Sequence, residues 1–159
     1  MKNTLLAQTD AAITKSVKPA DRNAFERISL AGMKVMFDKK MHQTLMQGLT
    51  ESPDKINTVA EGIVGILSLL YKESRNTMPV TPMITAGMAL LLQALAFMED
   101  AGMLKVDAAA LEKATQHYVE TLLPKLGITP EKMAAIMAKG QEATNDPQAM
   151  AKFKQLLGG

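Results

Sequence analysis

Residues 82–98 read PMITAGMALLLQALAFM, and they close a run of 23 residues, 76–98, that carries no formal charge. A helix that is apolar almost all round belongs at the centre of a packed bundle or in a lipid bilayer. Seventeen helical residues extend about 25 Å, short of the roughly 30 Å hydrocarbon core of a membrane. Thr85, Gly87 and Gln93 lie inside the stretch and no basic cluster follows it. The spacing therefore predicts a buried central helix over 82–98, enclosed by amphipathic neighbours.

The neighbours are legible from period and capping. Leu30, Met33, Phe37, Met41 and Leu45 recur every three or four residues, widened by Phe25, Ile28, Val35, Met36 and Leu49, which predicts one long helix over 19–49. Arg27, Lys34, Asp38 and His42 follow the same period on a charged face expected to meet solvent. A second helix is expected over 53–73, with Ile56, Val59, Ile63, Ile66, Leu67 and Leu70 inward. Gly62 and Gly65 each cost about 1 kcal/mol in a helix interior, so they predict close backbone approach by the central helix.

Four pairs of a capping side chain and proline mark expected helix starts: Ser52-Pro53, Thr81-Pro82, Thr129-Pro130 and Asp146-Pro147. Asp107 caps a helix expected over 108–123, Gly102 ends the central one, and short helices are expected over 130–143 and 147–157. Residues 1–18 have only a weak stripe (Leu5, Leu6, Ala12, Ile13, Val17) and are expected to form a mobile N-terminal arm. No strand-like alternation occurs. The predicted fold is all-α, a single-domain bundle of about six helices around 82–98, with all 159 residues in that domain.

Composition limits the chemistry. With no Cys, this chain supplies no disulfide, thiolate metal site or cysteine nucleophile. The start of the chain lacks the apolar run of a secretory signal, which predicts a cytoplasmic product. Aromatics are 4% of the chain and Met numbers 13, a composition that suits either an adaptable core or surfaces that repack against a partner. Residues 1–50 hold eight Lys/Arg against four Asp/Glu, whereas residues 51–100 hold three against six. That asymmetry fits head-to-tail association of identical subunits or an internal charge balance.

Tests for chemistry find little. Gly62-Ile63-Val64-Gly65 lacks the Lys-Ser/Thr of a phosphate loop. Asp38 and His42 offer two metal ligands where three or four are needed, so they read as a solvated face. His117 with Glu120 lacks the oriented partner and nucleophile that a general base requires. No catalytic, metal or cofactor site is expected. A helix-turn-helix over 129–157 would present only Lys152 and Lys154, among Glu131, Glu142 and Asp146, a poor base-reading face.

Residues 28–37 (ISLAGMKVMF), 77–80 (TMPV) and 95–103 (LAFMEDAGM) resemble small helical virion proteins of tailed bacteriophages, with the likeness extending over about residues 1–105. The resemblance implies a multicopy structural component of the particle, in the head-to-tail region or among proteins carried for genome delivery, and brings no catalytic residue. The expected function is thus non-enzymatic assembly through Met- and Leu-rich helix faces, with copies of itself or other virion proteins as partners and the virion as destination. Candidate contact residues are Met33, Met36, Phe37, Met41, Gly62, Gly65, Met83, Met88, Glu99 and Asp100. The alternatives are a membrane-active delivery protein and a small helix-turn-helix DNA-binding protein.

Overall fold

The computed structural model describes residues 3–127 and Glu131. Six helices follow one another: α1 (Thr4–Ser16), α2 (Arg22–Met36), α3 (Lys39–Glu51), α4 (Lys55–Glu73), α5 (Val80–Asp100) and α6 (Ala108–Lys125). The described residues contain no strand, so the all-α expectation holds. Thr129-Pro130, Asp146-Pro147, the helices expected over 130–143 and 147–157 and the helix-turn-helix lie outside the described residues, Glu131 excepted.

α5 is the centre of the bundle. It touches α1, α2, α4 and α6, and fourteen of its 21 residues are buried. Met83, Ala86, Leu91, Leu92 and Leu95 have no exposed surface. One hydrophobic cluster joins them to Leu6 and Ile13 of α1, Ile28 and Met36 of α2, Leu49 of α3, Ile63 and Leu67 of α4, and Tyr118 and Leu122 of α6. The absence of charge from 82 to 98 is thereby explained, because an ionised side chain at the buried positions there would be desolvated without a partner.

α5 is longer than its uncharged sequence predicts. Val80–Asp100 extends roughly 31 Å at 1.5 Å per residue, so length alone no longer separates a core helix from a membrane span. Within the chain, 72% of its most apolar window is buried. The helix begins before Thr81-Pro82, with Pro79 at the N-cap, and Pro82 falls in the first turn, where backbone N–H groups lack helical acceptors anyway. At the other end Gly102 has φ +74. Its N–H donates to Glu99 O and that of Met103 to Met98 O, both at 3.0 Å, which closes the last turn in a Schellman motif.

Three expectations are corrected. First, 19–49 is two helices. The chain leaves the helix at Phe37-Asp38, where Asp38 takes an extended conformation (φ −61, ψ 136) and turns its carboxylate toward the Met41 N–H of a new first turn. Second, residues 3–18 of the expected arm are not free. Asn3 caps α1 by accepting from the Leu6 N–H (3.2 Å), and its amide donates to both Glu99 carboxylate oxygens (3.0 and 3.1 Å) and to Val106 O (2.9 Å). The Val106 N–H donates to Glu99 Oε2 at 2.7 Å, so one carboxylate ties the start of α1 to the α5–α6 loop. Glu99→Ala leaves these donors unmatched. It should cost about 1–2 kcal/mol and speed amide exchange in α1 selectively; uniform exchange across the bundle would count against the tie.

Third, Gly62 and Gly65 do not face α5. A Cβ on Gly62 would meet Leu45 Cδ2 of α3 at 2.9 Å, and one on Gly65 would meet nothing within 4 Å. The close approaches that involve α5 are at Gly32, where Leu90 of α5 fills the space of a Cβ, and at Gly87, where the Tyr118 hydroxyl and Leu67 do so. The Gly32 contact also fixes the rotation of α2. Phe25, Ile28, Gly32 and Met36 point inward, while Leu30, expected in the buried stripe, is 60% exposed.

Candidate interaction site

The break at Phe37-Asp38 builds the most distinctive surface of the molecule. It turns α3 back across α4, and the rings of Phe37, His42 and Phe97 come together there. Phe37 and His42 stack at 6.2 Å between centroids, and Phe97 of α5 meets them edge-on at 5.5 and 5.4 Å. Offset and edge-on pairs of this kind contribute about 0.5–1.5 kcal/mol beyond burial.

Behind the rings lies a narrow crevice lined by Met36, Leu45, Leu49, Thr58, Val59, Gly62, Ile63, Ala94 and Met98. Its free volume is about 30 Å³, little more than room for a water molecule, and its walls are almost wholly apolar. Such a space suits a protruding methyl group or side chain. It does not suit a substrate, which needs several hundred Å³ and convergent polar groups. Phe37, at its lip, is 45% exposed.

The other polar side chains serve the bundle. Asp54 caps α4 by accepting from the Asn57 N–H (3.1 Å) and pairs with Lys113 of α6 at 2.5 Å. His117 meets Glu61 of α4 at 3.0 Å rather than Glu120, which accepts from Gln116. Tyr118, wholly buried, donates to Ile84 O at 2.9 Å, and burial pushes its phenol far above the ordinary range. Asp38 stands at the α3 cap while His42 leans on two phenyl rings, so the two do not form a ligand pair. Among the described residues no group of three metal-capable side chains converges.

The Lys113 ammonium, helped by the Asn57 N–H, holds the Asp54 carboxyl below its ordinary pKa. A depressed folded-state value means that the contribution to stability is full at neutral pH and is lost as pH falls through about 4 and below. Asp54→Asn keeps the cap but removes the charge. The melting-temperature gap between wild type and variant should therefore narrow from pH 6 to pH 3, modestly because both partners are partly exposed; a constant gap would contradict the pairing.

The ten candidate contact residues separate by burial. Met36, Met83 and Met88 lie in the core and are unavailable to a partner unless the bundle opens. Glu99 is committed to Asn3 and Val106, whereas Asp100 is exposed at the end of α5. Met33 and Met41 are half-buried, Gly62 lines the crevice, and Gly65 is exposed with open space beside it. Phe37 is the candidate that is both large and exposed.

Sequence reasoning missed Phe97, His42 and Leu30. A lone Phe in a uniformly apolar helix gives no sign of reaching the surface, and His42 was assigned to a solvent face by carrying one period through a break. The chain matches no protein-family model, no curated protein and no solved structure.

Proposed function

We propose that this chain is a non-enzymatic structural protein that works in many copies through helix-to-helix contacts, as a component of a tailed-phage particle. The observation that carries the reading is Phe37: a large aromatic side chain, 45% exposed, held by His42 and Phe97 at the mouth of an apolar crevice. Aromatic side chains are enriched at the centres of protein interfaces. Phe37 and Phe97 belong to the stretches 28–37 and 95–103 that resemble phage virion proteins.

Sedimentation velocity over a concentration series tests this. Wild type should associate, and Phe37→Asp should abolish association while lowering stability by about 1 kcal/mol. A chain that stays monomeric at several hundred micromolar, and that does not cosediment with assembled particles, would overturn the reading.

A second reading, membrane-active delivery, rests on α5, which is long and apolar enough to cross a bilayer. It requires the bundle to open, since most of α5 is enclosed. Leakage of dye-loaded vesicles separates it from assembly.

A further inference from the structure

Three large hydrophobic side chains are exposed among the described residues: Leu30, Phe37 and Leu69. Leu30 on α2 and Phe37, the residue that caps its C-terminus, lie in a stripe with a regular pattern. Arg27, Leu30, Lys34 and Phe37 follow one another at spacings of three, four and three, so cation and apolar anchor alternate along one outward face. The third sits on the outer ridge of α4, where Glu61, Gly65, Leu69 and Glu73 recur every four residues. Here acid, notch, apolar anchor and acid follow in turn, and the notch is open because nothing lies within 4 Å of a Cβ at Gly65.

We propose that the α2 stripe of one copy docks on the α4 ridge of the next, so that the chain assembles head to tail. This deepens the assembly reading above by naming the partner as a second copy of this chain. The two surfaces match in three respects. Basic residues at two positions meet carboxylates at two positions, Leu30 or Phe37 can seat over Gly65, and Leu69 lies against the remaining apolar anchor. Among the described residues Arg27, Lys34 and Glu73 form no ion pair, while Glu61 meets His117 of α6 and is still 58% exposed. Glu26 beside Arg27 and Lys72 beside Leu69 oppose the match, and each is outnumbered on its own face. Because the faces differ, the contact is heterologous and repeats into a ring or a filament.

Charge reversal on the full chain tests the pairing. R27E/K34E makes both surfaces acidic, and E61K/E73K makes both basic. Each variant alone should lose self-association by about tenfold or more in dissociation constant, as like charges face each other; R27E/K34E should retain the melting temperature, and E61K/E73K should lower it modestly because Glu61 also meets His117 of α6. An equimolar mixture should recover it, because each altered face then meets an opposite one. The chain has no Cys, so a Lys34→Cys copy mixed with a Gly65→Cys copy gives a clean crosslinking readout. Crosslinks should form between positions 34 and 65, and a predominance of 34–34 crosslinks would overturn the head-to-tail geometry. Oligomers that persist unchanged in both charge variants would overturn this surface and leave the assembly reading standing. A monomeric wild type would remove both. If the wild type stays monomeric but floats with anionic vesicles, and R27E/K34E does not, the stripe faces lipid and the proposal fails.

Discussion

Gly87→Val is expected to destabilise the chain by about 3–5 kcal/mol, the larger of two severe effects expected in the core. A Cβ at this position falls on the Tyr118 hydroxyl and on Leu67, and lies 2.9 Å from Tyr118 Cζ. Tyr118 cannot swing away, because its ring is wholly buried and its hydroxyl donates to Ile84 O one turn earlier on α5. Forcing extra methyl groups into a packed site costs about 1–3 kcal/mol, and a buried phenol deprived of its acceptor costs a similar amount. Urea unfolding measures the sum. Gly87→Ala combined with Tyr118→Phe should cost less than the two changes added, since the phenylalanine removes the atom that the new methyl strikes. A Gly87→Val protein within about 1 kcal/mol of wild type would show that α5 and α6 are not packed this closely.

Leu91→Ala should cost about 3–4 kcal/mol, because Leu91 has no exposed surface and its truncation leaves a cavity in the middle of α5. Leu30→Ala is the matched control. Its side chain is 60% exposed, so the change should stay within about 0.5 kcal/mol in dilute protein. Equal costs at the two positions would mean that α2 is rotated from the orientation set by Gly32 against Leu90. A Leu91→Ala cost that appears only at concentrations where copies associate would mean that part of the cover on α5 comes from neighbouring subunits.

The features legible in the sequence are those that a single segment decides. The burial of α5 follows from its own lack of charge, and Asp107 caps α6 as expected, its carboxylate accepting from the Ala110 N–H at 2.8 Å. The break at Phe37-Asp38 was not legible. Asp38 is compatible with a helix interior as well as with a cap, and the apolar period runs on through Met41 and Leu45. Tertiary packing, with Gly32 held against Leu90, chose the other face of α2. The glycines show the same limit. Sequence says that Gly62, Gly65, Gly32 and Gly87 all omit a side chain, but only the position of a neighbour tells which omission is used. The N-terminal helix escaped notice because its anchor, Asn3 with Glu99 and Val106, joins residues about a hundred positions apart.

Of the candidate site, Phe37 was legible both as an apolar residue of the Met-rich stripe and as a candidate contact residue. Its partners came from elsewhere: Phe97 from the uncharged run and His42 from the supposed charged face. The opposite charge of the first two segments was visible in the counts. Its expression as two outward ridges, with Leu30, Phe37 and Leu69 exposed, required the rotation of each helix.

The central claim is that α5 is covered by its own chain, which leaves the α2–α3 face free for contact with other copies. Hydrogen–deuterium exchange of the full chain at low and high protein concentration tests it most directly. Backbone amides of Val80–Asp100 should be the slowest to exchange at both concentrations, while amides around residues 27–42 gain protection only as copies associate. Fast exchange throughout α5 in dilute protein, slowing on concentration, would contradict the account and make the neighbouring subunits part of the core.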